Sequence, residues 1–404
     1  MQKRVVITSV GVISSIGFTQ NSIIENFKKE NTCFNTALFD NQIPVCPVKN
    51  FDVKNFTGRF KNIRYLNRGA QFCVASAMEA VTYAKLHKDM LKKAGMFAGM
   101  GPNLDISGEF SKSLDGVGAI DSKDLPALWI LRFLPNTAVS AISRLAGIHG
   151  DNLTINTACS ASLQAIGEAF RKIRHGYLDL AFAGGGDSRL NQGGILAYKK
   201  AHALAAGGDD PEKAGRPFDC NRKGFVPGEG GAFFLLEELE HAKKRGAKIF
   251  CEICGYGASI DGYNMTAPDP EGRWSETAVR DALKEAKMLP DQIDMVSAHA
   301  TGTQLNDEME ASLIDRVYGE HKPFVIALKS WIGHVAAACG AVELAICIYC
   351  LQNRYLPKIR NLKDPNHKNI NFVKTSAVCS FDSVMLENFG FGGQNSALVV
   401  KAWC

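Results

Sequence analysis

The sequence predicts an α/β fold built from two similar halves. Three observations lead to this prediction: β-branched apolar runs alternate with stretches of helical periodicity, the alternation restarts after Glu237, and no low-complexity linker separates the two parts. Because such alternation is typical of sheets covered by helices on both faces, we expect largely parallel strands. We place the halves at residues 1–245 and 246–404 of one compact body, with the active centre between them.

The first half is expected to begin with a strand rather than a secretory signal. Two basic residues and an apolar run open the chain, but Thr8, Ser9 and Ser14 interrupt that run and no small-residue cleavage site follows cleanly. A helix is predicted over 160–174, because apolar residues recur there at three- and four-residue spacing and Gly176 offers a C-terminal stop. The other elements predicted in this half are strands over 5–8, 95–99, 153–156 and 178–183 and a helix over 71–86.

The second half repeats the pattern. We predict strands over 248–257, 293–298, 324–328 and 397–401, and helices over 276–287, 307–318 and 335–351. The last helix is apolar nearly all round, but it is short for a membrane span and contains Glu343. We therefore expect a helix buried inside the protein and no insertion into a membrane.

Composition and charge narrow the range of functions. The 404 residues are 46% hydrophobic and 22% charged, with a net charge of +5. This mild excess argues against a nucleic-acid-binding protein, and it suits an acidic macromolecular partner if the charge is focused on one patch.

The twelve cysteines are spaced irregularly, and several lie in apolar runs. We therefore expect small buried hydrophobic residues in a reducing cytoplasm rather than a disulfide framework. Two C-x-x-C pairs, at 251/254 and 347/350, have no further His or Cys at ligand spacing, so no metal site is predicted.

Cys159 is the cysteine whose position indicates chemistry. It lies between a short β-branched run and the predicted helix 160–174, where unpaired N–H groups and the helix dipole favour a thiolate. Its small neighbours Ala158, Ser160 and Ala161 leave room for an acyl group and for backbone N–H groups to form an oxyanion hole. From this stretch alone, a buried structural cysteine remains an equal alternative.

Two of the nine histidines favour the catalytic interpretation. His299 and His334 each lie in a Gly/Ala/Thr-rich loop between a predicted strand and a predicted helix, and such loops build sites in α/β proteins. The other histidines lie among charged residues or in ordinary loops. A thiol and two imidazoles are therefore the candidate reactive groups.

Ordered motifs along the whole chain resemble those of the β-ketoacyl-ACP synthases of the elongating type (β-ketoacyl-ACP synthase II), which have the thiolase fold. After the opening "RVVITSVGVISSIG", six motifs follow in the family's order: "NTACSAS", "GRPFDCNRKGFVPGEGG", "SIDGYNMTAPDP", "HATGTQLNDEME", "KSWIGHVAAACGAVE" and "NFGFGGQNS". The resemblance implies two similar α/β halves in a five-layered αβαβα sandwich. It also implies a homodimer, and the apolar stretch 125–148 fits a partly buried connection near that interface.

The resemblance implies roles for particular residues. Cys159 would be the acylated nucleophile, and His299 and His334 would activate malonyl-ACP, assist loss of CO₂ and stabilise the enolate. Lys329 would orient the site and tune its charge, with Glu343 in support. Phe391 would be the gate between the malonyl and acyl pockets. The other implied substrate and pantetheine contacts are Thr301, Thr303, Thr266, Phe389 and Gly392. No metal or organic cofactor is implied, because phosphopantetheine arrives on the acyl carrier protein together with the acyl or malonyl group.

Four positions depart from the family's usual pattern. Ala300 replaces a glycine after His299, and Gln394 replaces a threonine close to the gate. Gly207 stands where many relatives carry an arginine thought to contact the carrier protein, and Trp331 is expected near the malonyl side. Together they suggest a non-housekeeping acyl chain or a dedicated carrier protein.

The basic residues Arg59, Lys61, Arg64 and Arg68 fall where the family docks its acidic carrier. A solvated helix face is the ordinary meaning of such a run, and docking is favoured here because the family supplies the partner. Other interpretations fit less well. A non-catalytic chain-length partner subunit would generally lose the cysteine, a CoA-primed synthase would use Cys-His-Asn, and a thiolase would carry a late catalytic cysteine in a signature that is absent near Cys379. A carrier-binding scaffold without turnover is a weaker alternative.

Overall fold

A computed structural model describes residues 2–106, 125, 127–205 and 210–403. Its strands are β1 (Val5–Ile13), β2 (Asn35–Ala37), β3 (Asp40–Val45), β4 (Gly95–Met100), β5 (Asn152–Ile155), β6 (Leu180–Ser188), β7 (Glu229–Glu238), β8 (Cys251–Ile260), β9 (Met295–Ser297), β10 (Phe324–Ile326), β11 (Tyr355–Leu356), β12 (Ala377–Val378), β13 (Ser383–Gly390) and β14 (Gln394–Ala402). Its helices are α1 (Gln20–Lys29), α2 (Lys54–Thr57), α3 (Arg68–Ala84), α4 (Lys88–Lys93), α5 (Thr137–Ala146), α6 (Ala161–Arg174), α7 (Gln192–Lys200), α8 (Leu239–Lys244), α9 (Arg273–Ala286), α10 (Gln304–Tyr318), α11 (Lys329–Ile332) and α12 (Cys339–Asn353).

Ten strands form one mixed sheet made of two equivalent sets of five. The order across the sheet is β10-β9-β13-β14-β8-β1-β7-β6-β4-β5. One set is β1, β4, β5, β6 and β7, and the other is β8, β9, β10, β13 and β14. From the centre outward the first set runs β1-β7-β6-β4-β5 and the second runs β8-β14-β13-β9-β10, so the two sets have the same strand order. The sets meet where Val5–Ile7 of β1 pairs antiparallel with Cys251–Ile253 of β8. The predicted internal similarity of the two halves is therefore present in the sheet topology.

The expectation of largely parallel strands is wrong for five of the nine strand pairings in the sheet. The outer strands of each set pair in parallel, as β4 does with β5 and β6, and as β9 does with β10 and β13. The inner strands pair antiparallel, because β7 and β14 return beside the first strand of their own set. Neither β7 nor β13 was predicted from the sequence. Both are almost continuously buried, and their apolar runs lack the alternation that identifies a half-exposed strand.

The helices complete five layers. Helix α6 contacts β4 and β6 of the first set as well as β8 and β14 of the second, and α12 likewise contacts β1, β7, β13 and β14. The two helices therefore lie between the two halves of the sheet. The outer layers are α3 and α5 on one side and α9 and α10 on the other.

Within the described residues, Ala336–Asn353 is the one helical segment long and apolar enough to cross a membrane by composition, and 89% of it is buried inside the protein. Its apolar side chains contribute to the largest hydrophobic cluster, and Glu343 is buried with them. The segment is the central helix α12 and its preceding turn, so its hydrophobicity is satisfied by the two sheet halves that it contacts.

Candidate active site

Cys159 lies in a strained turn at the start of the central helix α6. One 3₁₀ turn, Ala158–Ser160, joins the loop after β5 to the helix, and Ala158 adopts a φ of +48°. Left-handed backbone costs an alanine about 1 kcal/mol or more, so the surrounding contacts must hold the turn in place. The Ser160 hydroxyl does so, since it lies 2.8 Å from the carbonyl oxygen of Asn388 and 2.7 Å from that of Gln394.

His334 faces the thiol. Its Nε2 lies 3.2 Å from the Cys159 sulfur, and its Nδ1 accepts a hydrogen bond of 3.0 Å from the backbone N–H of Ala336. Because Nδ1 is an acceptor, the neutral ring carries its proton on Nε2 and directs that N–H toward the thiol. The Phe225 ring packs against the imidazole with a centroid separation of 4.6 Å. The side chain is thus fixed both in tautomer and in orientation.

His299 enters the same space from the other half. It follows β9, and the carboxylate of Glu310 holds the turn by accepting hydrogen bonds from the backbone N–H groups of His299 (2.5 Å) and Ala300 (2.7 Å). Ala300 has a φ of +43°, a left-handed backbone conformation that glycine adopts more readily than alanine. The reactive atoms of Cys159, His299 and His334 all lie within 4.8 Å of one another.

A buried ion pair lies behind the two histidines. Lys329 Nζ is 2.5 Å from one oxygen of Glu343, and both side chains are almost fully enclosed. The Asn388 side-chain amide donates to the other oxygen of Glu343 at 2.9 Å and lies 3.5 Å from Nδ1 of His299. The carboxylate fixes the orientation of this amide, so its N–H groups also face His299 Nδ1. This contact favours the tautomer with the proton on Nε2, as in His334.

Burial and the Lys329 charge keep both imidazoles neutral. Burial lowers the pKa of His299 well below its usual value, and it lowers the pKa of His334 to about 3, with Lys329 adding to both shifts. Two neutral rings, each with an Nε2–H, form a pair of hydrogen-bond donors aimed at one point. Such a pair can hold a developing oxyanion without itself losing a proton.

The Cys159 thiol differs from the thiolate expected from its helix position. Burial raises its pKa to about 11, and the positive charge of Lys329 and the backbone N–H of Phe391 only partly offset this. The chain at rest therefore holds a protonated thiol. The sulfur must lose its proton during acyl transfer, when the leaving pantetheine thiolate can accept it.

Alkylation by iodoacetamide tests this protonation state. The rate at Cys159 is expected to rise about tenfold per pH unit from about pH 6 to about pH 9 without a plateau, because only the small thiolate fraction reacts below a pKa of about 11. Peptide mass spectrometry measures the rate, with the exposed Cys220 as the internal reference. A plateau near neutral pH would show a resting thiolate and contradict the inferred protonation state.

The same three groups form the one cluster of possible metal ligands in the part of the chain that the structure describes. A histidine that ligates through Nε2 normally donates its Nδ1–H to a neighbouring acceptor. His334 does the reverse, since its Nδ1 accepts from Ala336. The hydrogen-bonding pattern therefore suits a proton donor better than a metal ligand.

A cavity of about 850 Å³ opens onto these residues. Its wall includes Cys159, His299 and His334, and it also includes every residue expected to contact pantetheine or form the gate: Thr266, Thr301, Thr303, Phe389, Phe391 and Gly392. The hydroxyls of Thr301 and Thr303 are 2.9 Å apart. Phe391 is partly exposed, and Gly392 and Gly393 follow it with φ values of +84° and +76°. Lys329 and Glu343 lie outside the wall, consistent with an indirect role.

The four departures from the family pattern differ in their relation to the cavity. Gln394 lines it, and Ala300 lies in the turn that carries His299. Trp331 does not reach it, so the expectation that it lies near the malonyl side is wrong. Its ring is fully buried against Phe27, 4.8 Å away between centroids, because α11 directs Lys329 and Trp331 to opposite sides. Gly207 lies outside the described residues.

The basic residues expected to dock the carrier do not share one helix face. Lys61 and Arg64 lie in a 3₁₀ turn, Arg59 precedes it, and Arg68 begins α3. Arg68 pairs with the buried Glu229 at 2.9 Å. Within the described chain, the other three cations form no ion pair, so they remain available to an acidic surface.

Several polar residues near the site were not predicted as site residues, although Asn388 and Glu310 lie within the motifs "NFGFGGQNS" and "HATGTQLNDEME". They are Asn388 and Glu310, which hold the two histidine-bearing segments, Glu387, which contacts Glu310, and the ion pair formed by Asp187 and Arg189. Their roles come from tertiary contacts rather than from a local sequence pattern. Glu310 lies in the first turn of the helix predicted over 307–318, where a carboxylate is ordinary, so the sequence does not single it out.

Glu310 and Glu387 form a buried carboxyl pair whose proton is expected to govern stability. Burial raises the pKa of Glu310 to about 8, with repulsion from Asp307 adding to the shift. Burial also raises the pKa of Glu387 well above its usual value, and Glu310 adds to that shift. The folded chain thus binds protons more tightly than the unfolded chain, so stability falls as the pH rises from the ordinary glutamate pKa toward about 8.

Glu387→Gln is therefore expected to raise Tm at about pH 8 by more than at about pH 5.5, where the pair is already protonated. Thermal unfolding at the two pH values measures this difference, with the exposed Glu320→Gln as the matched control. An equal change in Tm at both pH values would mean that the pair does not share a proton.

Comparisons with known proteins identify the family of this chain. The family described as Beta-ketoacyl synthase, N-terminal domain, matches residues 2–242, and Beta-ketoacyl synthase, C-terminal domain, matches residues 250–363. The chain is 34% identical to 3-oxoacyl-[acyl-carrier-protein] synthase 2 of Coxiella burnetii over 99% of both chains. It is 33% identical to the Synechocystis protein of the same name, over 100% of this chain and 99% of that one.

Solved structures give the same result. A β-ketoacyl synthase from Burkholderia phymatum superposes with a TM-score of 0.91 at 28% identity, and the match covers 100% of both chains. The ishigamide ketosynthase/chain length factor superposes with a TM-score of 0.90, also at 28% identity and over 100% of both chains. With its paired five-stranded sets, its central helix α6 and both family domains in sequence, the chain belongs to the β-ketoacyl synthase family of condensing enzymes and has the thiolase-like fold.

Proposed function

We propose that this chain is an elongating 3-oxoacyl-[acyl-carrier-protein] synthase. It would join an acyl group from acyl-ACP to malonyl-ACP by decarboxylative Claisen condensation, in the synthesis of fatty acids or of a related specialised lipid or polyketide. The observation that supports this best is the buried thiol facing two neutral imidazoles in one large cavity. The names of the Coxiella and Synechocystis relatives support the carrier protein as partner.

In the first half-reaction, the sulfur of Cys159 attacks the carbonyl carbon of acyl-ACP. The backbone N–H groups of Cys159 and Phe391 would receive the oxyanion. In the resting chain the N–H of Phe391 hydrogen-bonds the sulfur. The bond from the acyl carbon to the pantetheine sulfur breaks, and the thiol proton leaves with that sulfur. The products are acyl-Cys159 and free ACP.

In the second half-reaction, the thioester oxygen of malonyl-ACP accepts the Nε2–H groups of His299 and His334. The carbon–carbon bond to the carboxylate breaks, CO₂ departs, and the electron pair forms an enolate held by the two donors. The enolate carbon attacks the acyl carbon of Cys159, and the cysteine sulfur leaves as a thiolate that regains a proton from water. No metal or organic cofactor takes part in this scheme.

Lys329 and Glu343 are proposed to set the charge of the site. The ammonium is partly neutralised by Glu343 at 2.5 Å, so it repels a proton from both imidazoles without leaving a full uncompensated charge. Thr266, Thr301, Thr303 and the Phe391 loop are proposed to hold the pantetheine arm. Arg59, Lys61, Arg64 and Arg68 are proposed to dock the acidic carrier protein.

We further propose a homodimer, in which β5 contributes to the interface. Among the described residues, this strand lies at one end of the ten-stranded sheet and pairs only with β4, and its Leu153 is exposed. Leu128 and Ile130, from the apolar stretch 125–148, are exposed as well; Pro126 of that stretch lies outside the described residues. Uncovered apolar side chains and a free strand edge are typical of an interface. The free thiols of all described cysteines favour a cytoplasmic location.

The test is a condensation assay with purified protein, malonyl-ACP and a panel of acyl-ACPs, read by intact-protein mass spectrometry. A 3-oxoacyl-ACP two carbons longer than the donor supports the proposal, and its dependence on donor gives the chain preference. Acylation of the protein without any condensed product for every donor would count against an elongating enzyme.

A further inference from the structure

A buried ion pair forms part of the wall of the active-site cavity. Arg189 Nη2 lies 2.9 Å from Asp187 Oδ2, and each side chain is only 6% exposed. Both residues line the same cavity as Cys159, together with Gly101 and Pro102. The Arg189 guanidinium also donates to the Pro102 carbonyl oxygen. Charges this deeply buried are costly unless every polar atom is satisfied, so their presence in an acyl-binding cavity needs a reason.

Asp187 and Arg189 differ in how fully their hydrogen-bonding groups are satisfied. Asp187 is well satisfied, because its oxygens accept hydrogen bonds from Arg189, from the N–H of Ser188 at 2.7 Å and from the N–H of Ala337 at 3.1 Å. A guanidinium has five N–H donors, and Arg189 uses one on Asp187 and one on Pro102. Within the described chain, the remaining N–H donors of Arg189 therefore have no hydrogen-bond acceptor, and Arg189 lines the cavity.

Tyr198 brings a second polar group to the same wall. It lies in α7, its ring packs edge-on against Phe225 at 4.9 Å, and it lines the cavity. Burial raises the pKa of Tyr198, and its hydroxyl lies within electrostatic reach of Arg189, Asp187 and Cys159. This hydroxyl hydrogen-bonds no residue in the described part of the chain, nor is it among the fully enclosed oxygens, so it faces the open cavity.

Resting on the proposed function, we propose that Arg189 and Tyr198 select acyl groups that carry a neutral oxygen acceptor, such as a keto, hydroxyl or ether oxygen, over saturated chains of equal length. A plain alkyl chain would cover these donors without pairing them, which costs free energy. An anionic acyl terminus gains little, because Asp187 already balances the charge of Arg189. A neutral oxygen satisfies the donors without adding charge.

The same contacts also allow a purely structural role. Asp187 hydrogen-bonds both Arg189 and the backbone N–H of Ala337, which lies three residues after His334. Replacing Arg189 could therefore disturb the backbone that positions His334. Tyr198→Phe avoids this difficulty, because it removes one hydroxyl and keeps the ring against Phe225. Tyr177→Phe is the matched control, since Tyr177 is exposed and does not line the cavity.

The experiment measures kcat/KM for three acyl-ACPs of equal chain length, one saturated, one with a hydroxyl or keto oxygen, and one with a terminal carboxylate. The wild-type chain is expected to favour the neutral oxygenated donor. Tyr198→Phe is expected to lower kcat/KM for that donor by about three- to tenfold and to raise kcat/KM for the saturated donor, because the hydroxyl that an alkyl chain leaves unpaired is gone. Tyr177→Phe should change neither.

Equal or better use of the saturated donor by the wild-type chain would overturn this inference, as would an equal loss for all donors in Tyr198→Phe. Preference for the carboxylate donor would also overturn it, since the ion pair would then not be balanced. Failure of the proposed function is distinguishable, because no donor would give a condensed product in any variant.

Discussion

Replacing Cys159 by alanine is expected to abolish both acylation and condensation. The sulfur lines the cavity at the start of α6, and it lies 3.2 Å from the His334 imidazole that would polarise the reacting thioester. Without the sulfur, the acyl group cannot form a covalent intermediate on the protein, so the reaction cannot proceed through two half-reactions. Intact-protein mass spectrometry after incubation with acyl-ACP measures the effect directly.

Two variants make this result specific. Cys159→Ser keeps the geometry of the turn but has a far weaker nucleophile, so slow acylation without efficient condensation is expected. Cys339→Ala is the matched control, because Cys339 is also buried and lies 3.8 Å from Nδ1 of His334, yet does not line the cavity. Full acylation of Cys159→Ala at another residue would contradict the assignment of the nucleophile.

Replacing His334 by alanine is expected to lower the rate of condensation by about 10²- to 10³-fold, the usual cost of removing one oxyanion donor. The ring has its tautomer fixed by Ala336, so its Nε2–H is a permanent donor. Acylation of Cys159 should be affected less than condensation, because the backbone N–H groups of the nucleophile turn serve the first half-reaction. Measuring the two half-reactions separately tests this difference.

His334→Gln places an amide N–H near the position of Nε2, so it is expected to recover part of the lost rate. The exposed His87→Ala provides the control for histidine removal as such. If His334→Ala lost acylation and condensation equally, the histidine would act on the nucleophile rather than on the enolate. A wild-type rate would remove His334 from the mechanism altogether.

The sequence predicted the fold class because its helices and outer strands have clear periodicity. Helix α6 begins and ends within one residue of the predicted 160–174, since its apolar face is regular. Strand β7 was not predicted because it is buried on both faces and so lacks an alternating pattern. Its antiparallel pairing with β1 joins residues more than two hundred positions apart in the chain. No local pattern encodes which strand becomes the neighbour of the first.

The candidate site shows the same limit. Cys159, His299 and His334 were predicted because each stands in a motif at a strand–helix junction, and the structure brings their reactive atoms together. The resting thiol could not be predicted from the helix dipole alone, because burial outweighs it. Trp331 was misplaced because its neighbour Lys329 faces the site, and side chains two residues apart on a helix point in opposite directions.

The supporting polar groups depend on tertiary contacts. Asn388 reaches Glu343 across 45 residues, and Asp187 reaches Ala337 across 150. Neither pair has a spacing rule, so only the folded chain places them. Arg189 and Tyr198 likewise became meaningful only when the structure placed both on the cavity wall with Cys159.

A single-turnover chase tests the central claim most directly. The chain is acylated with a labelled acyl-ACP, freed from unreacted donor, mapped by peptide mass spectrometry and then mixed with malonyl-ACP. We predict that the label resides on Cys159 and moves into a 3-oxoacyl-ACP as CO₂ is released, returning the chain to its original mass. Release of the label as a free acid, or its retention on Cys159 in the presence of malonyl-ACP, would contradict the proposed condensation.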